Sequence, residues 1–480
     1  VSRTVQQYID ETPTWGDGTL LAGVPMTLMQ WRIWLLASAG KFFEGMVIFM
    51  TGVALPLIVM QFGLGATGKG LVGAAPLAGI LIGATLLGGL ADRFGRKQMF
   101  IAEMAIFVVF LAAVAASPSL PWLLVFLFGM GLALGCDYPT AHLVISESIP
   151  SRDRGRLVLS AFGFQAVGAL AGTLAGYLIL RANGSLDDWR WMYASAVVPA
   201  IIVLVARFFV TQSPAWLMSR GRREEAEKSI LRLLHREPPY PQSIALRASA
   251  VGPDRDREPT GWRALFSRRH RRATILASVP WFLQDLSTYG IGIFTPTILA
   301  ATIGAASGPP RHVADLVHSQ MKAAEGAAAI DLLLIAGIIA AVLLADRAGR
   351  IKLQVLGFIG CAAGLGLAAS SAFVPSGVQL PLIFAGFMLF NFMTNLGPNA
   401  MTYLLAGEVY PVQLRGLGAG FAASVGKVGA VLTAFLFPVL LHRFGTTVLL
   451  VGLMAASLLG AWVTWRFRIE TKGRNLEELG

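Results

Sequence analysis

Apolar runs of about twenty residues, each long enough to cross the hydrocarbon core of a bilayer as a helix, recur along almost the whole of this chain. On that ruler they fall at 31–62, 70–91, 98–117, 121–143, 157–181 and 189–210, and again at 273–302, 325–345, 352–373, 379–405, 416–440 and 446–466. Only 14% of the 480 residues are charged and 55% are hydrophobic. A soluble globular chain carries roughly 25% charged residues, so this one lacks the polar surface that a water-soluble fold of its size needs. The 53 glycines agree, because glycine is more frequent in membrane helices than in soluble ones. The fold class predicted is an all-α membrane protein with twelve transmembrane helices.

The one wide polar gap, 212–272, contains the charge-dense stretch SRGRREEAEKSILRLLHRE and a proline-rich piece around Pro238–Pro241. It is too polar to span, and reads as a cytosolic linker with an amphipathic surface helix. The chain thus divides into a cytosolic N-terminal segment (1–30), a six-helix half (31–211), the linker (212–272), a second six-helix half (273–467) and a cytosolic tail (468–480). Asp10, Glu11, Pro13 and Asp17 precede the first apolar run, so no cleavable signal peptide is expected, and the first membrane helix serves as the insertion signal.

The net charge of +12 is dispersed over short loops, which points to cytoplasmic loops beside anionic lipid rather than to nucleic acid. Basic residues crowd the connections after the second helix (Arg93, Arg96, Lys97), the fourth (Arg152, Arg154, Arg156), the sixth (the linker) and the eighth (Arg347, Arg350, Lys352). Both termini are therefore expected in the cytoplasm, in a plasma or inner membrane. The two cysteines, Cys136 and Cys361, lie inside apolar runs and suggest no disulfide framework.

ADRFGRKQ at 91–98 follows the second helix of the first half, and ADRAGRIK at 345–352 follows the second helix of the second half. Two such loops at corresponding positions indicate a duplicated six-helix unit, hence two pseudo-symmetric halves, as in many secondary transporters. GGLADRFGRK resembles the hallmark loop of the major facilitator superfamily. SESIPSRDRGR resembles its E-x(6)-R pattern (Glu147, Arg154), and GEVYPVQLRG is the second-half counterpart (Glu408, Arg415). QSPAWL at 212–217 and ETKGRNLEEL at 470–479 resemble the sugar-porter branch, with Gln212 where that branch has a carboxylate. The gating-loop candidates are Asp92, Arg93, Arg96, Glu147, Arg154, Asp346, Arg347, Arg350, Glu408 and Arg415. They either form cytoplasmic ion pairs in one conformation and break in another, or cap helices and fix topology.

Ionisable groups inside the apolar runs are more informative, since a charge at membrane depth costs about 2.5–3.5 kcal/mol or more. They are Lys41 and Glu44, Glu103, Asp137, Asp285, Asp331 and Lys427. A carrier coupled to protons needs a carboxylate that holds a proton for part of its cycle. Lys41 and Glu44 are spaced i, i+3 and can pair on one helix face; Asp331 reads as structural, or as lying near its helix end, and His142 as a packed residue.

Several strings resemble the phosphate:proton symporters within that superfamily. GCDYPTA (135–141) supplies Asp137 and Tyr138, and FQAVGAL (164–170) supplies Gln165. WFLQDLSTYG (281–290) supplies Trp281, Asp285 and Tyr289, which stack on one helix face at i, i+4, i+8. NLGPNAMTYLLAGEVYP supplies Asn395 and Asn399, and SVGKVGA supplies Lys427. The resemblance implies a substrate site of Tyr138, Gln165, Trp281, Asp285, Tyr289, Asn395, Asn399 and Lys427. It also implies proton coupling through Asp137, Glu44, Glu103 and Asp285.

The function expected is a proton-coupled symporter of inorganic phosphate or a similar small anion, working by alternating access. The alternative on the same scaffold carries a sugar or an organic metabolite such as a carboxylate; a non-transporting membrane sensor is a third reading. Lys41, and Cys136 where the phosphate group has glycine, depart from the phosphate pattern. No catalytic residues, metal or cofactor are expected, because the signature motifs of hydrolases, metalloenzymes and phosphate-binding loops do not occur; the proton gradient is the driving force. The partners expected are a small anion, protons and membrane lipid, with the protein as a monomer. Asp137→Asn is expected to abolish accumulation driven by a pH gradient in reconstituted liposomes; accumulation at the unmodified level would remove Asp137 from the proton path.

Overall fold

The computed structural model describes residues 3–11, 26–87, 90–152, 154–235, 244–246, 262–307 and 313–471. The proline-rich piece of the linker, most of 470–479 and the Asp92 side chain lie outside the described residues. Among the described residues the architecture is helical throughout, apart from one isolated bridge between Arg3 and Leu246. The first half comprises α1 (Leu28–Phe62), α2 (Ala66–Ile82, continued by a π-turn to Leu87), α3 (Arg96–Ala115), α4 (Leu120–Ser146), α5 (Arg154–Ala182) and α6 (Asp188–Arg207). The second comprises α7 (Arg271–Ser307), α8 (Val313–Ala348), α9 (Arg350–Ala369) and α10, in two pieces (Ser376–Leu396 and Pro398–Glu408) hinged at Gly397. The last helical segment, Val412–Arg466, is divided by Gly445 at φ 78°, giving α11 (412–444) and α12 (446–466). That makes twelve membrane helices among the described residues. The linker carries a short helix, Pro214–Ser219, and an amphipathic one, Arg223–Leu233, whose Ala226, Ile230 and Leu233 are buried.

The starts of the helices are chemically marked. Thr27 caps α1 in a box with Gln30, each side chain bonding the other's backbone N–H, which satisfies two of the donors that a helix start leaves open. In the repeated loops, Gly95 and Gly349 take φ of 105° and 93°, a region that side-chain-bearing residues avoid. Each glycine also admits a capping side chain from later in the chain. Gln212 accepts from the Lys97 N–H at 3.0 Å. Glu470 accepts from the N–H groups of Arg350 and Ile351 at 3.0 and 3.2 Å. The sugar-porter-like segments thus serve as caps for α3 and α9, and the amide at Gln212 takes the place that a carboxylate takes in the second half.

One expected element is corrected. The apolar run places Asp331 near the start of its helix, but α8 begins at Val313, so Asp331 sits mid-helix and 4% exposed. The extra turns carry Asp315, His318, Gln320 and Lys322. A ruler that counts only apolar residues cannot see a helix that continues beyond the hydrocarbon.

Within the first half, α1 and α5 meet backbone to backbone. A Cβ at Gly45 would run into the Gln165 carbonyl, at Gly168 into that of Phe42, and at Gly172 into that of Met46. Small residues at such spacing let membrane helices approach closely and gain dispersion energy. Apolar side chains cover the outward faces, among them Val109 on α3, Ile202 on α6 and Trp462 on α12. Gly168→Leu is expected to lower the thermal unfolding temperature in detergent or abolish folding, at or beyond the roughly 1–3 kcal/mol typical of overpacking, because the obstacle is backbone. Gly420→Ala, with open space at its Cβ, serves as the tolerated control.

Candidate functional site

The ionisable residues of the apolar runs resolve into three groups. The central one joins the two halves. From the first half, Lys41 and Glu44 on α1 form the i, i+3 ion pair at 3.0 Å. From the second, Lys427 on α11 reaches Asp285 on α7 at 3.2 Å. Lys427 also lies 3.6 Å from Glu44, so one lysine spans both halves. All four are 1–5% exposed.

Neutral donors complete the cluster. Glu44 Oε1 accepts from the hydroxyls of Tyr138 and Tyr289 at 2.8 and 2.9 Å and from Gln165 at 3.3 Å. The Tyr289 oxygen in turn accepts from Lys427 at 2.7 Å and from Gln165 at 3.2 Å. Lys41 Nζ sits over the Tyr138 ring. Trp281 is buried edge-on to Tyr403, their centroids 6.2 Å apart, and Tyr403 stacks on Phe162 across the halves at 4.5 Å. Two ammonium groups and two carboxylates make this core formally neutral, and Glu44 engages three neutral donors at once.

Of the expected substrate residues, Tyr138, Gln165, Asp285, Tyr289 and Lys427 meet here, with Trp281 one helical turn along from Asp285. Asn395 and Asn399 do not join them by a hydrogen bond. Asn399 donates to Asn395 at 2.7 Å and accepts from Gln284 at 3.0 Å, while Asn395 donates to the Leu334 carbonyl at 2.9 Å. These amides form a second polar chain through α7, α8 and α10.

The second ionic group lies inside the first half. Arg207, with no exposed surface, reaches Asp137 on α4 at 2.8 Å and Glu103 on α3 at 3.4 Å. It also donates to the carbonyls of Phe100 and Leu36 at 2.6 and 3.2 Å. A Cβ at Gly40 would collide with the Asp137 carboxylate, so α1 leaves that carboxylate its space. Two carboxylates face one guanidinium, an excess of one negative charge, and Glu103 Oε2 has no hydrogen-bond partner. A single proton balances the group. Arg207 is absent from the sequence-derived candidates, although the same cost rule that selects Asp137 applies to an arginine inside LVARFFV.

Asp331 forms the third group. It accepts from Thr173 on α5 at 2.8 Å and from Asn391 on α10 at 3.3 Å, so it too bridges the halves. His142, read as packed, is exposed and faces Tyr403 edge-on with a centroid distance of 6.4 Å.

The loop residues pair within each half. Arg96 holds Glu147 at 3.1 Å and the Ala91 carbonyl at 2.9 Å, and Ser213 donates to Glu147 at 2.5 Å. Arg350 holds Glu408 at 3.2 Å, Asp346 at 2.9 Å and the Ala345 carbonyl at 3.1 Å, and Thr471 donates to Glu408 at 2.5 Å. The two constellations are the same construction twice. Arg154 donates weakly to Ser151 at 3.4 Å; Arg93 is exposed beside Phe94, Arg347 lies in the last turn of α8, and Arg415 opens α11.

Comparison with known proteins fits this geometry. The family model described as "Sugar (and other) transporter" matches residues 33–480. The chain belongs to the sugar (and other) transporter family. It is 29% identical to the putative metabolite transport protein YaaU of Escherichia coli, over 93% of this chain and 94% of that one. It is 27% identical to the niacin transporter NiaP of Acinetobacter baylyi, covering 96% and 98%. It is 25% identical to a putative inorganic phosphate transporter of Schizosaccharomyces pombe, covering 95% and 88%. Among solved structures, a partially occluded inward-open form of the xylose transporter XylE of Escherichia coli aligns with TM-score 0.75 at 20% identity, over 94% of this chain and 100% of that one. The fold is that of the major facilitator superfamily. As a member of the sugar (and other) transporter family, this chain is an integral membrane transporter.

Arg207→Gln is expected to unfold the first half or cost on the order of 3–5 kcal/mol, because two buried carboxylates then lose the guanidinium that pairs with both. Adding Glu103→Gln should restore much of the thermal stability. Equal melting of the single and double variants would show that the pairing carries no weight.

Proposed function

We propose that this protein is a proton-coupled symporter of a small organic anion, a metabolite bearing a carboxylate. One observation carries the reading: Lys41 and Lys427, from opposite halves, converge on a single carboxylate, Glu44, that also accepts from three neutral donors. The seat is built for a carboxylate, and Glu44 fills it while no substrate is bound. An entering substrate carboxylate takes over Tyr138, Gln165 and Tyr289 as donors and the two ammonium groups as counter-charges.

Charge conservation then supplies the coupling. The central core is neutral, and an added anion leaves it one charge negative in a medium where an unbalanced charge costs several kcal/mol. A proton arriving on Glu44 or Asp285 restores neutrality, so anion and proton stabilise the same loaded state. The Arg207 group, with its one surplus carboxylate, is a proton-holding station in the first half. Asp137 and Tyr138 are consecutive on α4, so the helix that carries the station also carries a substrate donor. Both termini and the basic loops face the cytoplasm in this reading.

The expectation of inorganic phosphate gives way to an organic anion for two reasons. The rings of Tyr138, Phe162, Trp281, Tyr289 and Tyr403 surround the seat, and they suit an apolar body better than a bare oxyanion. The relatives named for metabolites and for niacin, itself a carboxylic acid, support the same class. Sugars fit less well, since a neutral polyol brings no charge for the two lysines to bind.

Proteoliposomes with an imposed pH gradient, offered niacin, its neutral amide, glucose or inorganic phosphate, test the proposal. The carboxylate should accumulate and the neutral amide should not. Lys427→Gln should raise the KM roughly tenfold or more, the loss expected of one hydrogen bond to a charged group. Glu44→Gln should lose accumulation while retaining exchange. Uptake of the amide or glucose to the exclusion of the carboxylate would overturn the reading, and uptake of phosphate alone would return it to the inorganic anion.

A further inference from the structure

A second anion-attracting hollow lies far from the transport site, where the linker meets the first half. A cavity of about 290 Å³ is walled by the first turn of α3, the segment that follows α6, and the amphipathic helix Arg223–Leu233. Five ionisable residues line it besides neutral ones: Lys97, Arg222, Glu225, Lys228 and Arg232. Glu225 is already taken, since Arg222 grips it with two bonds of 2.6 Å. The next acidic residue along that helix, Glu227, does not line the hollow and pairs with Arg223 at 3.0 Å. Lys97, Lys228 and Arg232 are left with no carboxylate partner among the described residues, and the hollow carries three uncompensated positive charges.

Its position selects the anion. The cavity opens beside the ends of α3 and α6, whose apolar windows are 33% and 28% buried, against 83% for α1. These two helices therefore turn most of their surface to lipid. Phe208 and Phe209, at the end of α6 just before the cavity-lining Val210, are 55% and 72% exposed. Cations beside an exposed aromatic pair at a membrane edge match a phosphodiester joined to an acyl glycerol. Basic pockets between membrane helices are suited to anionic head groups, and each Lys or Arg near the surface adds about 1 kcal/mol of attraction.

We infer that this hollow binds the head group of an anionic phospholipid, which clamps the linker helix to the ends of α3 and α6. The linker helix is tied to α1 as well: Thr27 donates to the Leu233 carbonyl at 2.6 Å. The bound lipid thereby braces the helix that carries Lys41 and Glu44.

Native mass spectrometry of the purified full chain in mixed micelles of phosphatidylcholine and phosphatidylglycerol provides the test. The unmodified protein should retain phosphatidylglycerol in preference to phosphatidylcholine. Lys228→Gln should weaken that preference about fivefold, and Lys97→Gln, Lys228→Gln and Arg232→Gln together about a hundredfold. Arg443→Gln, an exposed cation in the second half, should leave it unchanged. In a parallel arm, phosphatidylglycerol but not millimolar inorganic phosphate should raise the unfolding temperature of the unmodified protein and not that of the triple variant. Equal retention of the two lipids, retention undiminished in the triple variant, or protection by inorganic phosphate to the same extent would each overturn the assignment.

Discussion

The interaction on which the rest of this structure depends is the ionic contact of Lys427 with Glu44 and Asp285. It ties α11 to α1 and α7, and it does so at membrane depth. Neither lysine nor carboxylate is stable there alone, so the four charges of the central core hold one another in place. The dry surroundings that make each charge costly also make the set sensitive to any charge added or removed. A transporter needs that sensitivity, because loading must change the relation of two rigid halves.

Rigidity comes from elsewhere. Glycine-backbone contacts between α1 and α5, and the paired constructions Arg96–Glu147–Ser213 and Arg350–Glu408–Thr471, all act within one half. The halves meet through contacts of several kinds: the Lys427 bridge, the bonds of Tyr289 with Glu44 and Gln165, the Phe162–Tyr403 stack, the hydrogen bond from Thr173 to Asp331, and close backbone approaches at Gly52 (to Ile293) and Gly70 (to Phe435). Two six-helix halves meeting at a polar midplane are the arrangement of many secondary transporters.

The loops show how a repeated motif becomes a repeated structure. Gly95 and Gly349 need positive φ, and each makes room for a cap, Gln212 or Glu470, delivered by the segment that follows the same half. Each six-helix unit is thus closed on itself through the first turn of its third helix. In the first half that closure also brings the linker against Lys97, which is how a segment too polar to span the membrane comes to frame a basic hollow at its edge.

The sequence by itself determined the solvent, the helices and the duplication. Apolar length and the cost of charge in hydrocarbon leave little choice, and Asp137, Glu44, Asp285 and Lys427 stand out as soon as that cost is applied. The i, i+4, i+8 spacing of Trp281, Asp285 and Tyr289 likewise follows from one helix alone. Only the tertiary structure decided which charges meet. It paired Asp137 and Glu103 with Arg207, brought Lys427 across to Glu44, and turned Asn395 and Asn399 toward each other instead of the core. It also put Asp331 in the middle of a helix whose polar first turns an apolar ruler had left out. The physical reason is the same in each case. Periodicity fixes the face of a helix on which a side chain lies, but its partner belongs to a helix tens or hundreds of residues away, and only packing sets which faces confront each other.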